Sequence, residues 1–175
     1  VQAGQSAQSG VLLRPVRSAM KLVQKRSKKT GLPPGTIVHI GEKKSETVTI
    51  TAFHYAGGYC EERQVDDPAT LAPPTDESVV WINVSGVHRM EVLETFGRQF
   101  GLHALLLEDI ANTDQRPKLD DYETYLFLVT KMLTLTESQN VMVEQVSVVL
   151  GRNYVLSFQE NGTDVFQPVR ERLRG

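Results

Sequence analysis

The chain has 175 residues, 40% of them hydrophobic, enough for one domain with an ordinary buried core. Its one cysteine, Cys60, excludes an internal disulfide and any zinc site built on several thiolates, and it points to a reducing compartment. The formal net charge is −2, and no apolar run approaches the ~20 residues of a membrane helix.

That charge is unevenly spread. Residues 1–30 hold seven basic residues (Arg14, Arg17, Lys21, Lys25, Arg26, Lys28 and Lys29) and no acid, which leaves 12 basic and 21 acidic residues in the rest. The pattern predicts a basic, flexible leader over 1–30 and an acidic domain over 31–175. Such a leader suits a solvated terminus, or contact with nucleic acid or anionic lipid.

"TGLPPGT" (30–36) breaks any helix and marks the domain's start. "TIVHIG" and "TVTITAFHY" alternate and are β-branched, so both are expected to be strands, joined at "GEKKSE" like a hairpin. "DDPATLAPPTDES" reads as a loop or short helix. "VVWINVSG" (79–86) is a continuous apolar strand buried on both faces. Met90, Leu93, Phe96 and Phe100 recur at helical spacing, with Gly101 as the C-cap.

"HALLLEDIANT" is a second, short helix, and Pro117 ends helical backbone after it. "TYLFLVTKMLTL" is a strand, and "EQVSVVLGRNYVLSFQE" is two strands turning at "GRN". "DVFQPVRERLRG" begins a helix with Asp164 near its N-terminus, and the chain stops inside it. The expected class is α/β, a mixed parallel and antiparallel sheet between helices.

The chemistry centres on Glu108 and Asp109, adjacent carboxylates behind three leucines. Neighbouring helix positions lie about 100° apart, so both cannot point into the core. Three readings stay open: a solvated helix side, oxygen ligands for a hard cation such as Mg²⁺ or Ca²⁺ bound at roughly millimolar strength, or an acid/base pair in a soluble enzyme. No G-x-S-x-G, P-loop or H-E-x-x-H motif is present. His39, His54, His88 and His103 are scattered and read as structural, as do Cys60 and Trp81.

"LPPGT" (32–36), "WINVSGVHR" (81–89), "LLLEDIANTDQRPKLDDYETYLFLVTKML" (105–133), "EQVSVVLGRNYVLSFQE" (144–160) and "DVFQPVRERLR" (164–174), in that order, resemble the N-terminal cytoplasmic domain of the CorA family of magnesium transporters. The resemblance spans roughly residues 31–175. It implies an α/β/α domain of a homopentameric channel on the cytoplasmic face of the cell inner membrane. The stalk, both membrane helices and the Gly-Met-Asn signature are absent from this sequence. It further implies that Glu108 and Asp109 bind regulatory Mg²⁺ against acids of the neighbouring subunit's stalk. Co²⁺, Ni²⁺ or Ca²⁺ are candidate substitutes, and no enzymatic role or nucleic-acid partner is implied. Asp120, Asp121 and Glu123 would add negative potential. A related branch exports Zn²⁺ on the same fold, which leaves a Zn²⁺ transporter domain as the alternative. Two positions depart from the pattern: Ala104 stands where proline is frequent, and Asp114 where histidine is.

Overall fold

A computed structural model describes residues 32–33, 36–136, 138–162 and 165–174. The basic leader, part of the proline turn and Asp164 lie outside the described residues.

The described residues fold into one seven-stranded mixed sheet with helices on both faces, as the α/β pattern of the sequence implies. β1 (Thr49–Ala56) and β2 (Tyr59–Gln64) form a hairpin, and β3 (Val79–Ser85) follows a short 3₁₀ turn at Pro68–Thr70. Helices α1 (Met90–Phe100) and α2 (Ala104–Ala111) come next. β4 (Lys118–Asp121), β5 (Tyr125–Leu135), β6 (Val141–Gly151) and β7 (Tyr154–Gln159) complete the sheet, and α3 (Gln167–Arg174) ends the described chain. The strand order is β2-β1-β3-β7-β6-β5-β4, and among these described strands only β3 and β7 pair in parallel. A parallel pair needs a long crossover, and α1 and α2 lie within it.

Period-2 alternation decides what each face carries. Ile50, Ala52, Val80, Ile82, Val84, Phe127, Val129, Val149, Leu156 and Phe158 form one buried cluster with Val92, Leu93, Phe96 and Phe100 of α1 and Leu106, Leu107, Ile110 and Ala111 of α2. On the opposite face Phe53 stacks on Trp81 at 4.8 Å, and Phe166, just before α3, meets Trp81 edge-on at 5.5 Å. The Trp81 indole N–H donates to Ser157 Oγ at 2.9 Å, and that hydroxyl donates to Asn83 Oδ1 at 2.7 Å. The register also puts Leu119, Leu126, Leu128 and Leu150 on this second face, where they stay exposed.

Three expectations need correction. "TIVHIG" forms no strand: Ile40 makes an isolated parallel bridge to Asn112 at the end of α2. Its N–H donates to Ala111 O at 3.0 Å, and its carbonyl accepts the Thr113 N–H at 2.9 Å. β1 therefore pairs not with that segment but with β2, through the Gly57–Gly58 turn, where both glycines have positive φ. β2 and β4 were not expected as strands; both are edge strands with mostly polar sequences and little apolar alternation.

α1 closes as anticipated. Gly101 adopts the left-handed conformation with φ 64°, and the Leu102 N–H reaches back to Gly97 O at 2.9 Å. Gly97 is also where α1 approaches α2, since a Cβ there would lie 2.6 Å from Leu107 Cδ1. Leu107 is buried and has little room to retreat. Gly97→Val should therefore cost about 2 kcal/mol through overpacking. For a domain of this size that is a fall in Tm of about 4–8 °C, read by thermal melting against wild type.

Candidate metal site at the end of helix α2

α2 is set by the spacing of its apolar residues. Leu106, Leu107, Ile110 and Ala111 are buried, so Leu105, Glu108 and Asp109 fall toward the rim. His103 is the N-cap, with its ring Nδ1 accepting the Leu105 N–H at 3.2 Å. At the far end the Asn112 N–H donates to Glu108 O at 3.1 Å, and the chain turns away extended.

The two acids do not behave alike. Asp109 points toward the sheet's edge. Its Oδ2 accepts from Lys118 Nζ of β4 at 2.7 Å, and its Oδ1 accepts from Gln115 Nε2 at 2.5 Å. Its side chain is 20% exposed. Glu108 is half-buried and has an interaction of its own, so it is not a spare ligand waiting in solvent.

Lys118 holds a second acid as well. Its ammonium lies 2.6 Å from Asp120 Oδ2 and 5.5 Å above the Phe127 ring. Burial alone would lower its pKa, but hydrogen bonds to Asp109 and Asp120, joined by their charges, raise it above the ordinary lysine value. The ammonium is the cation bound between these two carboxylates.

Beneath Asp109 sits a residue the sequence did not flag. Gln145 of β6 is 2% exposed. Its amide N–H₂ donates to Asp109 O at 3.2 Å and to Asn112 O at 3.1 Å. Its carbonyl accepts the Gln115 N–H at 3.1 Å and Lys131 Nζ at 3.2 Å. Lys131 also donates to Thr113 O at 2.6 Å, and burial lowers its pKa. One buried amide thus fastens the last turn of α2 and the following loop to the sheet. Nothing in an isolated strand sequence marks a glutamine as such a clamp, because its partners in α2 and the following loop lie 30 to 36 residues earlier.

The other singled-out residues are dispersed. Asp121 turns its carboxylate back to the Glu123 N–H at 2.8 Å, closing a turn in which Glu123 has φ 65°. Asp114 is beside the site, with Oδ2 buried and without a hydrogen-bond partner among the described residues. His54 Nε2 lies 2.8 Å from Ser78 Oγ in a separate region, and His39 has both ring nitrogens buried and unpartnered among the described residues. Burial, then the neighbouring Lys43 charge, lowers the His88 pKa. Cys60 lies within β2 and is partly buried.

Asp109 offers hard oxygen ligands of the kind Mg²⁺ takes, but both its oxygens are engaged within the chain. No group of three or more His, Cys, Asp or Glu side chains among the described residues stands close enough to hold a metal. The described residues supply at most part of a coordination sphere. Among the described residues no helix is long and apolar enough to cross a membrane.

Removing the clamp should be costly. Gln145→Leu leaves the Asp109 and Asn112 carbonyls without their donor and the Gln115 N–H without its acceptor. The expected loss is about 3 kcal/mol, seen as a lower urea midpoint, with the slope of the transition unchanged.

The comparisons with known proteins converge. The family model described as "CorA-like Mg2+ transporter protein" matches residues 76–175. The chain is 45% identical over 150 residues to the cobalt/magnesium transport protein CorA of Thermotoga maritima, covering 85% of this chain and 42% of that protein. Among solved structures, the soluble domain of CorA from Methanocaldococcus jannaschii superposes with a TM-score of 0.52 at 12% identity, covering 71% of this chain and 46% of that one. The ZntB cytoplasmic domain from Vibrio parahaemolyticus gives a TM-score of 0.55 at 8% identity, covering 72% and 49%. At those identities the likeness is one of fold. The chain spans less than half the length of the curated relatives it matches.

Proposed function

The chain belongs to the CorA-like Mg²⁺ transporter family, and from that premise we propose that it is the cytoplasmic, divalent-cation-sensing domain of a Mg²⁺ channel, with Glu108 and Asp109 as its contribution to the sensor. The full channel would be a homopentamer in the inner membrane, anchored through helices outside these 175 residues. Each domain would face its neighbours in the cytoplasm. Co²⁺, Ni²⁺ or Ca²⁺ would substitute for Mg²⁺ at the regulatory site. The protein would have no enzymatic activity and no nucleic-acid partner.

One observation carries this reading: Asp109 stands at the rim of α2 with a cation, the Lys118 ammonium, already bound to it. The carboxylate thus already holds positive charge at the domain's edge. It lies inside the segment matched by the family model. The incomplete ligand set fits a shared site, since the missing oxygens would come from water and a neighbouring subunit. A divalent ion bound there removes repulsion between acids of two subunits and favours the arrangement in which they are close. The family description and the Thermotoga relative's name favour Mg²⁺ and Co²⁺ over Zn²⁺.

The test is a Mg²⁺ titration of thermal stability in the full-length protein. A site of roughly millimolar affinity adds about 1.4 kcal/mol at 10 mM Mg²⁺, a rise in Tm of about 4 °C for a unit of this size. Asp109→Asn keeps the hydrogen bond from Gln115 and loses the charge, so it should abolish most of that rise. An equal Mg²⁺ response in wild type and Asp109→Asn would remove Asp109 from the sensor.

A further inference from the structure

We infer that Lys118 is the resident cation of the Asp109 carboxylate, so that a divalent ion reaches Asp109 only by displacing Lys118, which is then retained by Asp120. The inference rests on the sensor reading above and adds to it a residue that sets the ion threshold.

The geometry is direct. A single ammonium lies 2.7 Å from Asp109 Oδ2 and 2.6 Å from Asp120 Oδ2. The other Asp109 oxygen is taken by the Gln115 amide at 2.5 Å. Inner-sphere Mg²⁺ needs a carboxylate oxygen at ~2.1 Å. With Lys118 in place, ion and ammonium would lie within 5 Å of each other across one shared oxygen, by the sum of the two distances. Their repulsion makes simultaneous occupancy unfavourable.

Displacement is feasible because the pair is only partly buried. The Lys118, Asp109 and Asp120 side chains are 32%, 20% and 37% exposed. Ion pairs this wet contribute little stability. Lysine is a compact charge on a flexible stem with three rotatable donors. Lys118 and Asp120 are two residues apart on β4 and share a face of the sheet. The ammonium therefore gives up Asp109 and keeps Asp120 with no change in the strand. Among the described residues β4 is the last strand at that edge, paired with β5. Lys118 is one tie between it and α2, so exchanging Lys118 for an ion exchanges a contact within the chain for one directed outward.

The experiment compares Mg²⁺ midpoints, by thermal shift, in the full-length wild type, Lys118→Met, Lys43→Met and Asp109→Asn. Lys118→Met removes the competitor and should lower the midpoint about five- to tenfold, a shift of the order that separates about 1 kcal/mol in affinity. Lys43→Met removes the same charge from a separate ion pair, with Glu46, and should leave the midpoint unchanged. In wild type enriched with ¹⁵N-lysine, Mg²⁺ should also shift the Lys118 side-chain signal. If wild type responds to Mg²⁺ through Asp109 but Lys118→Met does not tighten binding, Lys118 is a structural ion pair and the inference fails, while the sensor reading stands. Equal tightening in Lys43→Met would assign the effect to net charge and also overturn it. If neither wild type nor Lys118→Met responds, both fall together. A response that appears only in Lys118→Met and is lost again with Asp109→Asn would support the displacement.

Discussion

The Gln145 amide, buried under the last turn of α2, is the contact on which the rest of the site depends. It gives two hydrogen bonds to carbonyls of α2 and its C-terminal residue, and receives two from the loop and from Lys131. A helix end leaves carbonyls without partners, and burying them unpaired is costly. One side chain with two donors and two acceptor lone pairs meets that need at a point where water is excluded. Because Gln145 stands in the middle of β6, the direction of Asp109 is set by the sheet rather than by a mobile loop.

The sheet in turn divides its faces by chemistry. The face under α1 and α2 is aliphatic and aromatic at its centre, and becomes polar at one edge toward Gln145, Lys131 and Lys118. The opposite face carries the Trp81–Ser157–Asn83 chain of hydrogen bonds beneath Phe166. Both polar regions lie where strands meet segments outside the sheet, where shape alone would leave register loosely specified. Paired polar groups there tolerate one register and penalise others.

Much of this was legible in the sequence and some was not, for physical reasons. Strands buried on one or both faces, such as "VVWINVSG" and "YVLSFQ", announce themselves by apolar runs. The Gly101 stop of α1 does so because a left-handed cap favours glycine. Edge strands have no apolar face to bury, so "YCEERQ" and "KLDD" carried no signal. "TIVHIG" had the composition of a strand, but its backbone was claimed by the end of α2 through Ile40. The pair Glu108–Asp109 stood out because adjacent acids beside leucines are conspicuous. Its partner Lys118 did not, because it lies nine residues on, past Pro117, and only tertiary folding brings it back.

That partner changes what the acidic pair means. Two neighbouring carboxylates suggest two equal ligands, but the helix turns them about 100° apart, and the fold gives them different company. Asp109 is tied to the chain's own cation and amide, whereas Glu108 is set on another side of the same turn, half-buried in different surroundings. An acid with no internal cation would carry its repulsion into every state of the domain. An acid paired with a part-exposed lysine is neutralised within the chain, by a contact that contributes little stability. The acids at this edge, Asp109 and Asp120, are therefore offset by a charge within the chain, and on the proposed reading a divalent ion would have to outcompete that ammonium.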